Sequence, residues 1–390
     1  MNQHRPEMAD VIRTHQSEFL ARWNPVLSRE QRKALRDLRD CRSAALGGRV
    51  EECDRCGHRV ILYNSCRNRH CPKCQAMARA RWLAQREAEL LPVPYFHVVF
   101  TLPAAIGQLA LQNPKTIYNL LFRTAANTLL TTAADPRLLG ASIGVLAVLH
   151  TWGQNLHLHP HLHCVVPGGG ISLDGQRWIR CRRSSFFLPV RLLSQRFRKA
   201  FLRGLRRSFR TGALRFSGEL APLSEPAAFH KLCKQAASLD WVVHVKPPFG
   251  GPRRVLQYLA RYTHRVAISN HRIRSVENGH VSFEWKDYAD HSRTKLMTLD
   301  AVEFLRRFLL HVLPTGLVRI RQFGFLSHRL RKHKLELCRA LIAAGSRSAE
   351  ENTGAVQQDL NPHLCPVCQL GHLLFIEFVT VDRRPIPDTS

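Results

Sequence analysis

Five histidines fall within fourteen positions of HTWGQNLHLHPHLHCVVPGGG: His150, His157, His159, His161 and His163. On a β-strand, residues i and i+2 share a face, so His161 and His163 can grip one cation while Leu162 points into a core. His157 and His159 could do the same. The second pair is the better placed, because CVVP continues the strand after it and Pro160 is expected to break the strand between the pairs. Two imidazoles leave positions open for a phosphate oxygen and a third ligand, with Gln154, His157 and His264 as candidates.

A second concentration is of cysteine. Six of the twelve lie between residues 41 and 74, which in a reducing compartment favours metal over disulfide. Cys53-x2-Cys56 and Cys71-x2-Cys74 frame a fourteen-residue loop, and four thiolates suit tetrahedral Zn²⁺. Four protein ligands leave no open position, so the expected role is structural. Cys41, His58, Cys66 and His70 remain over; Cys66-x3-His70 could supply part of a second site or replace a member of the first. Arginines around the cluster (Arg55, Arg59, Arg67, Arg69, Arg79, Arg81) suggest that the module also touches DNA. Cys365-Pro-Val-Cys368, followed by Gly371, reads as half of another knuckle; its partner pair is not evident nearby, although Cys338, His363 and His372 exist.

The third group is Tyr258 and Tyr262 in PRRVLQYLARYTHRVAIS. Four apart on a helix, they lie on one face, and Arg261 and Arg265 repeat the spacing. By pattern alone such a pair fits a core stripe more readily than a nucleophile. A Tyr hydroxyl, with a pKa of about 10, attacks a phosphodiester only when that phosphate is polarised and neutralised. A His-bound divalent cation would do this, and the covalent phosphotyrosine would conserve bond energy for later rejoining.

The chain that must position these groups has 390 residues, enough for two or three domains. Lys and Arg number 58 against 29 acidic residues, a formal +29, and Arg predominates. Such a surplus repels itself unless a polyanion screens it, so nucleic acid is the favoured partner. No run of about 18 uncharged apolar residues indicates a membrane span, and MNQHRPEMAD has no apolar signal core. A cytoplasmic, nucleoid-associated bacterial protein is expected.

Helices are predicted for residues 1–40, for Met77–Leu91, 115–131, the Arg-rich 191–211 and Pro252–Thr263 after a turn at 247–251. Strands are predicted at Tyr95–Leu102, Ile143–His150, the second His pair, Trp241–Val245, Val266–Ser269, Arg272–Val276 and His280–Trp285, the last two joined by Asn-Gly. Spacing leaves open whether the 191–211 helix faces solvent or DNA. Residues 299–345 read as helical and basic, and 346–362 as a linker.

Three segments, HPHLHCVVPGGG, PPFGGPRRVLQYLARYTHRVAISNHRI and YNSCRNRHCPKCQ, resemble the rolling-circle insertion-sequence transposases of the two-tyrosine HUH type. FEWKDY and FLLHVLPTGLVRIRQFGFLSHR resemble them too, in the same order, over roughly residues 15 to 345. The resemblance implies that His161-Leu162-His163 is the HUH metal motif, with Mg²⁺ or Mn²⁺ as its ion. It also implies that Tyr258 and Tyr262 are the nucleophiles. One would cut the donor single strand and keep a 5′-phosphotyrosine, and the other would act at the second cleavage or the target. The partners would be single-stranded transposon ends and target DNA. The implied fold is α+β: a central antiparallel sheet flanked by helices, the His pair on a central strand and the Tyr pair on a nearby helix. The expected division is residues 1–90 for an N-terminal helix and zinc module, 91–298 for the nuclease core with a basic helical insertion around 190–235, 299–345 for a basic helical region, and 346–390 for a linker and tail. Two other readings share the composition: a non-catalytic zinc-dependent DNA-binding regulator, which leaves the His and Tyr groups idle, and an HUH replication initiator or relaxase.

Overall fold

A computed structural model of the protein describes residues 5–87, 89–181, 187–246, 266–288, 290–344 and 364–380, with backbone alone at 76–79. The expected turn at 247–251, the tyrosine helix with Tyr258, Tyr262 and His264, and the 346–362 linker lie outside the described residues.

The centre is a five-stranded sheet assembled from β3 (Tyr95–Thr101), β5 (Gly144–Trp152), β6 (Leu158–Pro167), β9 (Val243–Lys246) and β13 (Ile320–Gly324). Its order is β13-β5-β6-β3-β9, every neighbouring pair antiparallel. This is the expected central antiparallel sheet flanked by helices. Period-two alternation divides the strands between two faces. Phe96, Val98, Phe100, Val145, Ala147, Leu149, Leu162, Cys164 and Val166 face one side, in the largest core cluster. That side is covered by α4 (Ala104–Gln112), α5 (Pro114–Ala134), α6 (Val190–Arg210) and α7 (Pro226–Ser238). Proline at the first position of α5 presets the helical φ where no backbone donor is needed.

The opposite face changes character along its length. Toward the Pro167 end, Tyr95, Leu146 and Val165 pack with Leu335, Cys338 and Ile342 of α9 (Arg331–Ala344). Toward the other end the same rows carry His97, His150, His161 and His163.

Beside this sheet stand α1 (Met8–Trp23), α2 (Arg29–Asp40) and α8 (Ala301–Leu309), packed on a meander of β10 (Ile273–Glu277), β11 (His280–Asp287) and β12 (Arg293–Asp300). Ser28 caps α2: its side chain accepts from the Gln31 N–H at 3.2 Å while Gln31 accepts from the Ser28 N–H at 2.8 Å. The Asn-Gly signal is realised as a tight β10–β11 turn, Asn278 and Gly279 both at positive φ, 50° and 75°. A third sheet, β14-β1-β2, joins β1 (Gly48–Cys53) and β2 (Arg59–Tyr63) to β14 (Leu373–Val379) from the far end of the chain. Between β2 and β3 lies α3 (Pro72–Glu87), and β4 (Ala141–Ser142), β7 (Gly169–Ser172) and β8 (Trp178–Arg180) form a small fourth sheet.

Three local expectations are corrected. Pro160 does not break β6, which runs through it; the β5–β6 register instead shifts between His150 and Trp152. The irregularity absorbs the missing N–H, and the Pro160 carbonyl still accepts from the Leu102 N–H at 3.0 Å. Val266–Ser269 is not a strand: Val266, Ala267 and Ile268 are buried by packing alone and lead into a 3-10 turn at Asn270–Arg272. Residues 299–345 are not helical throughout, since Ile320–Gly324 forms β13 at the edge of the central sheet. Gly324 makes this possible, at φ +62° and with the position a Cβ would take 1.9 Å from the Ile143 carbonyl oxygen. No helix of the described residues is long and apolar enough to cross a membrane.

Candidate metal centre and its flanking cysteine clusters

Strand register places His161 and His163 two residues apart on β6, on one face, as their spacing predicts. The same register sets His150 of β5 directly opposite His161. His150, His161 and His163 each turn a ring nitrogen inward, and the three atoms lie within 4.8 Å of one another. Among the described residues the third member is His150, not Gln154 or His157. The Gln154 amide donates to the Tyr288 hydroxyl at 3.3 Å, and His157 contacts Arg307 and Asn155 at 3.0 and 3.2 Å.

The outer hydrogen bonds prepare both β6 histidines as ligands. His161 and His163 approach through Nε2, 3.0 Å apart. Nδ1 of His161 lies 2.6 Å from the His159 carbonyl, which can only accept, so Nδ1 carries the proton and Nε2 the lone pair. Nδ1 of His163 lies 2.8 Å from Nε2 of His97. Burial, with Lys246 adding to it, pushes His97 down to about 3, so the ring is neutral and its Nε2 can accept that proton. His150 stacks on Trp152, centroids 4.7 Å apart and planes 16° from parallel. Sequence reasoning counted His150 in the histidine cluster but did not place it as the third member, and it missed His97, because cross-strand register, not spacing along one strand, brings them in.

The trio opens on a cleft of about 720 Å³ between the central sheet and the β10–β12 meander. One wall carries Thr101, His244 and Lys246, and the other carries Trp285, Lys286 and Tyr288. Arg272 ties the walls together, donating to the carbonyls of Glu284 at 2.7 Å and Gln154 at 2.5 Å.

The cysteines form two four-thiol clusters rather than the single one expected. Cys71 and Cys74 converge with Cys41 and Cys66, whereas Cys53 and Cys56 converge with Cys365 and Cys368. The Cys53/Cys56/Cys71/Cys74 set is thus corrected: its two pairs belong to different clusters. Sulfur separations are 3.5–3.6 Å in the first and 3.7 Å in the second. Disulfides would require about 2.05 Å. A tetrahedral ion with bonds near 2.3 Å would set its ligands about 3.8 Å apart. Both clusters therefore fit Zn²⁺. In the first, hydrogen bonding from Cys66 pulls the Cys41 thiol down, while contact with Cys41 pushes Cys66 and Cys71 upward. Without a cation, ionising one thiol blocks ionisation of the others.

The comparisons with known proteins agree on a family. A transposase zinc-binding domain model matches residues 11–102, and a model described as "Putative transposase" matches 144–334. The chain is 52% identical over 380 residues to "Putative transposase y4qJ" of Sinorhizobium fredii, covering 95% of each. It is 29% identical over 306 residues to the transposase for insertion sequence element IS801 of Pseudomonas savastanoi pv. phaseolicola, covering 74% of this chain and 68% of that protein. Among solved structures it is similar to the conjugative relaxase TrwC in complex with oriT DNA, at 15% identity, over 43% of this chain and 71% of that one. The TM-score is 0.25, too low for that likeness to bear on the fold. On these relationships the chain belongs to the rolling-circle HUH transposase family with an N-terminal zinc-binding module.

Proposed function

We propose that this protein cuts and rejoins single-stranded DNA through 5′-phosphotyrosine intermediates, as the catalyst of rolling-circle transposition. The convergence of His150, His161 and His163 at the floor of an open cleft carries the reading. Two Nε2 atoms 3.0 Å apart match the edge of an octahedral site with bonds of about 2.1 Å, which suits Mg²⁺ or Mn²⁺ with positions left over for substrate oxygens. That ion would supply Lewis-acid polarisation and charge neutralisation at the scissile phosphate.

The chain's own groups do the rest. Lys246 and Lys286 lie where phosphates would enter, and Trp285 and Tyr288 offer faces on which unpaired bases can stack. His97 holds the tautomer of His163. Tyr258 or Tyr262 supplies the nucleophile: its hydroxyl gives up its proton as Oη bonds to phosphorus, the P–O3′ bond breaks, and the leaving 3′-oxygen takes up a proton, so that the step is proton-neutral. The reverse reaction, by a 3′-hydroxyl of another strand, reforms the phosphodiester and frees the tyrosine for the second transfer. Zn²⁺ in the cysteine clusters would be structural, since neither set leaves a coordination position open.

The test uses purified protein, Mg²⁺ or Mn²⁺ and labelled single strands from both flanks of the reading frame. A covalent adduct on denaturing gels should need metal, vanish in Tyr258→Phe/Tyr262→Phe and fall at least about 100-fold in His161→Ala. DNA binding without an adduct on any flank would instead favour a binding protein.

A further inference from the structure

The helical face of the central sheet lies on the far side from the histidines, because Leu162 and Cys164 point toward α5 and α6 while His161 and His163 point away. Where α5 and α6 pack, a groove of about 1280 Å³ opens on the outer surface. Its floor is made of small residues. Gly204 leaves room there for the Leu120 side chain, which a Cβ would displace. Its rim is cationic: Arg123 on α5 faces Lys199, Arg203, Arg207 and Arg210 on α6, all exposed. Those α6 positions advance by four, four and three, so they form one stripe. Neither α5 nor α6 contains an acidic residue, and these five cations have no carboxylate partner among the described residues. Arg196, deeper in the groove, is already bound to Thr132 at 3.0 Å and Asp135 at 3.5 Å and is not part of the stripe.

We infer that this groove is a second DNA site, which grips the phosphate backbone of duplex DNA on the face opposite the catalytic cleft. From Lys199 to Arg210 the stripe runs about 17 Å, the length of roughly five base pairs. Four closely spaced like charges repel one another, and a polyanion offsets that cost through counterion release. Duplex is distinguished from single strand by what the groove lacks. The cleft carries Trp152, Trp285 and Tyr288, whereas none of the residues lining the groove is aromatic. Single-strand sites hold bases by stacking, and a backbone-only site suits paired DNA. The duplex arm beside a cut site would thus be held on the helical face while the unpaired strand enters the cleft.

The inference rests on DNA as the partner but not on the tyrosine chemistry. The experiment titrates salt against the affinity of the full chain for a blunt duplex of about 30 base pairs. Arg123→Gln/Lys199→Gln/Arg203→Gln/Arg207→Gln is compared with a control that removes four exposed charges elsewhere, Arg29→Gln/Arg36→Gln/Lys231→Gln/Lys234→Gln. The groove variant should lower the slope of log affinity against log salt by about 3 to 4 and weaken binding near 0.15 M salt roughly 10- to 1,000-fold. The control should change both far less. Arg123→Lys/Arg203→Lys/Arg207→Lys should keep near-normal binding, and adduct formation on a short single strand should be unchanged in the groove variant. A slope and affinity equal to wild type or to the control would overturn the inference. So would a loss at least as large for single-stranded DNA or RNA as for duplex. A protein that forms no adduct but loses duplex affinity with the groove would overturn the proposed chemistry and leave the groove standing.

Discussion

The first cysteine cluster gathers ligands from a 34-residue span, the end of α2, the loop before α3 and the start of α3. Cys41 and Cys71 are buried in the core shared by α1, α8 and the β10–β12 meander. Arg69, just before this cluster's C-x-x-C pair, donates to the carbonyls of Leu313, Pro314 and Leu317 at 2.7–2.8 Å. The second cluster closes the chain on itself, joining residues 53 and 56 to 365 and 368, and its sheet is thin and open. Phe375 is 52% exposed and Phe378 74%, and Cys56 is exposed. Identical ligand chemistry thus does two jobs. In the first cluster a metal would stabilise the same elements as the apolar core does, so losing one would undermine the other. In the second, little apolar burial supports the sheet, so a metal held there would supply most of what keeps β14 in place.

Substituting a buried ligand of the first cluster should give the largest effect. Cys71→Ser is expected to destabilise the main unfolding transition by about 4 kcal/mol or more, roughly 10 °C in midpoint, with loss of one zinc per chain. Calorimetry and metal analysis check this, and an unchanged midpoint would erase the contrast between the clusters.

Acid should separate the regions next. Buried His311 sits in the first cluster's neighbourhood as a neutral ring, Nε2 donating to the Leu156 carbonyl at 3.0 Å and Nδ1 accepting from Thr151 at 3.2 Å. Burial pushes it down to about 4. Its folded value lies below the unfolded one near 6.5, so its stabilisation is complete above pH 6.5 and is lost as pH falls toward 4. Between pH 7 and pH 5 this amounts to about 2 kcal/mol in denaturant titrations, and His311→Gln should remove that part of the slope. The second cluster's sheet has no buried histidine among the described residues, so this contribution has no counterpart there.

Cys365→Ser/Cys368→Ser should lower zinc from two to one per chain and expose the C-terminal segment to limited proteolysis. The main transition should move by less than about 3 °C. A shift as large as that of Cys71→Ser would mean that the second cluster also supports the core. Smallest of all, Arg59→Gln breaks the exposed pair with Glu52 on the second sheet. It should leave both the midpoint and the two zincs unchanged, because such pairs are screened by water.

Local chemistry is what the sequence carried well. The helix α2 was legible because its apolar spacing lies within a few residues, and His161 with His163 because a strand repeats every second residue. The tight Asn278-Gly279 turn was legible for the same reason. The fate of Pro160 was not, since whether a strand ends or bulges there depends on what the neighbouring strand can tolerate.

By itself the sequence determined the ligand pairs, the charge, the strand faces and the amphipathic helices, all set by interactions a few residues long. Only the tertiary structure decided which pairs meet. Cys53 and Cys56 reach Cys365 and Cys368 because β14 pairs with β1, and His150 reaches His161 because β5 and β6 take one register. Those choices follow from burying whole faces of sheets at once, an energy that no short stretch of chain contains.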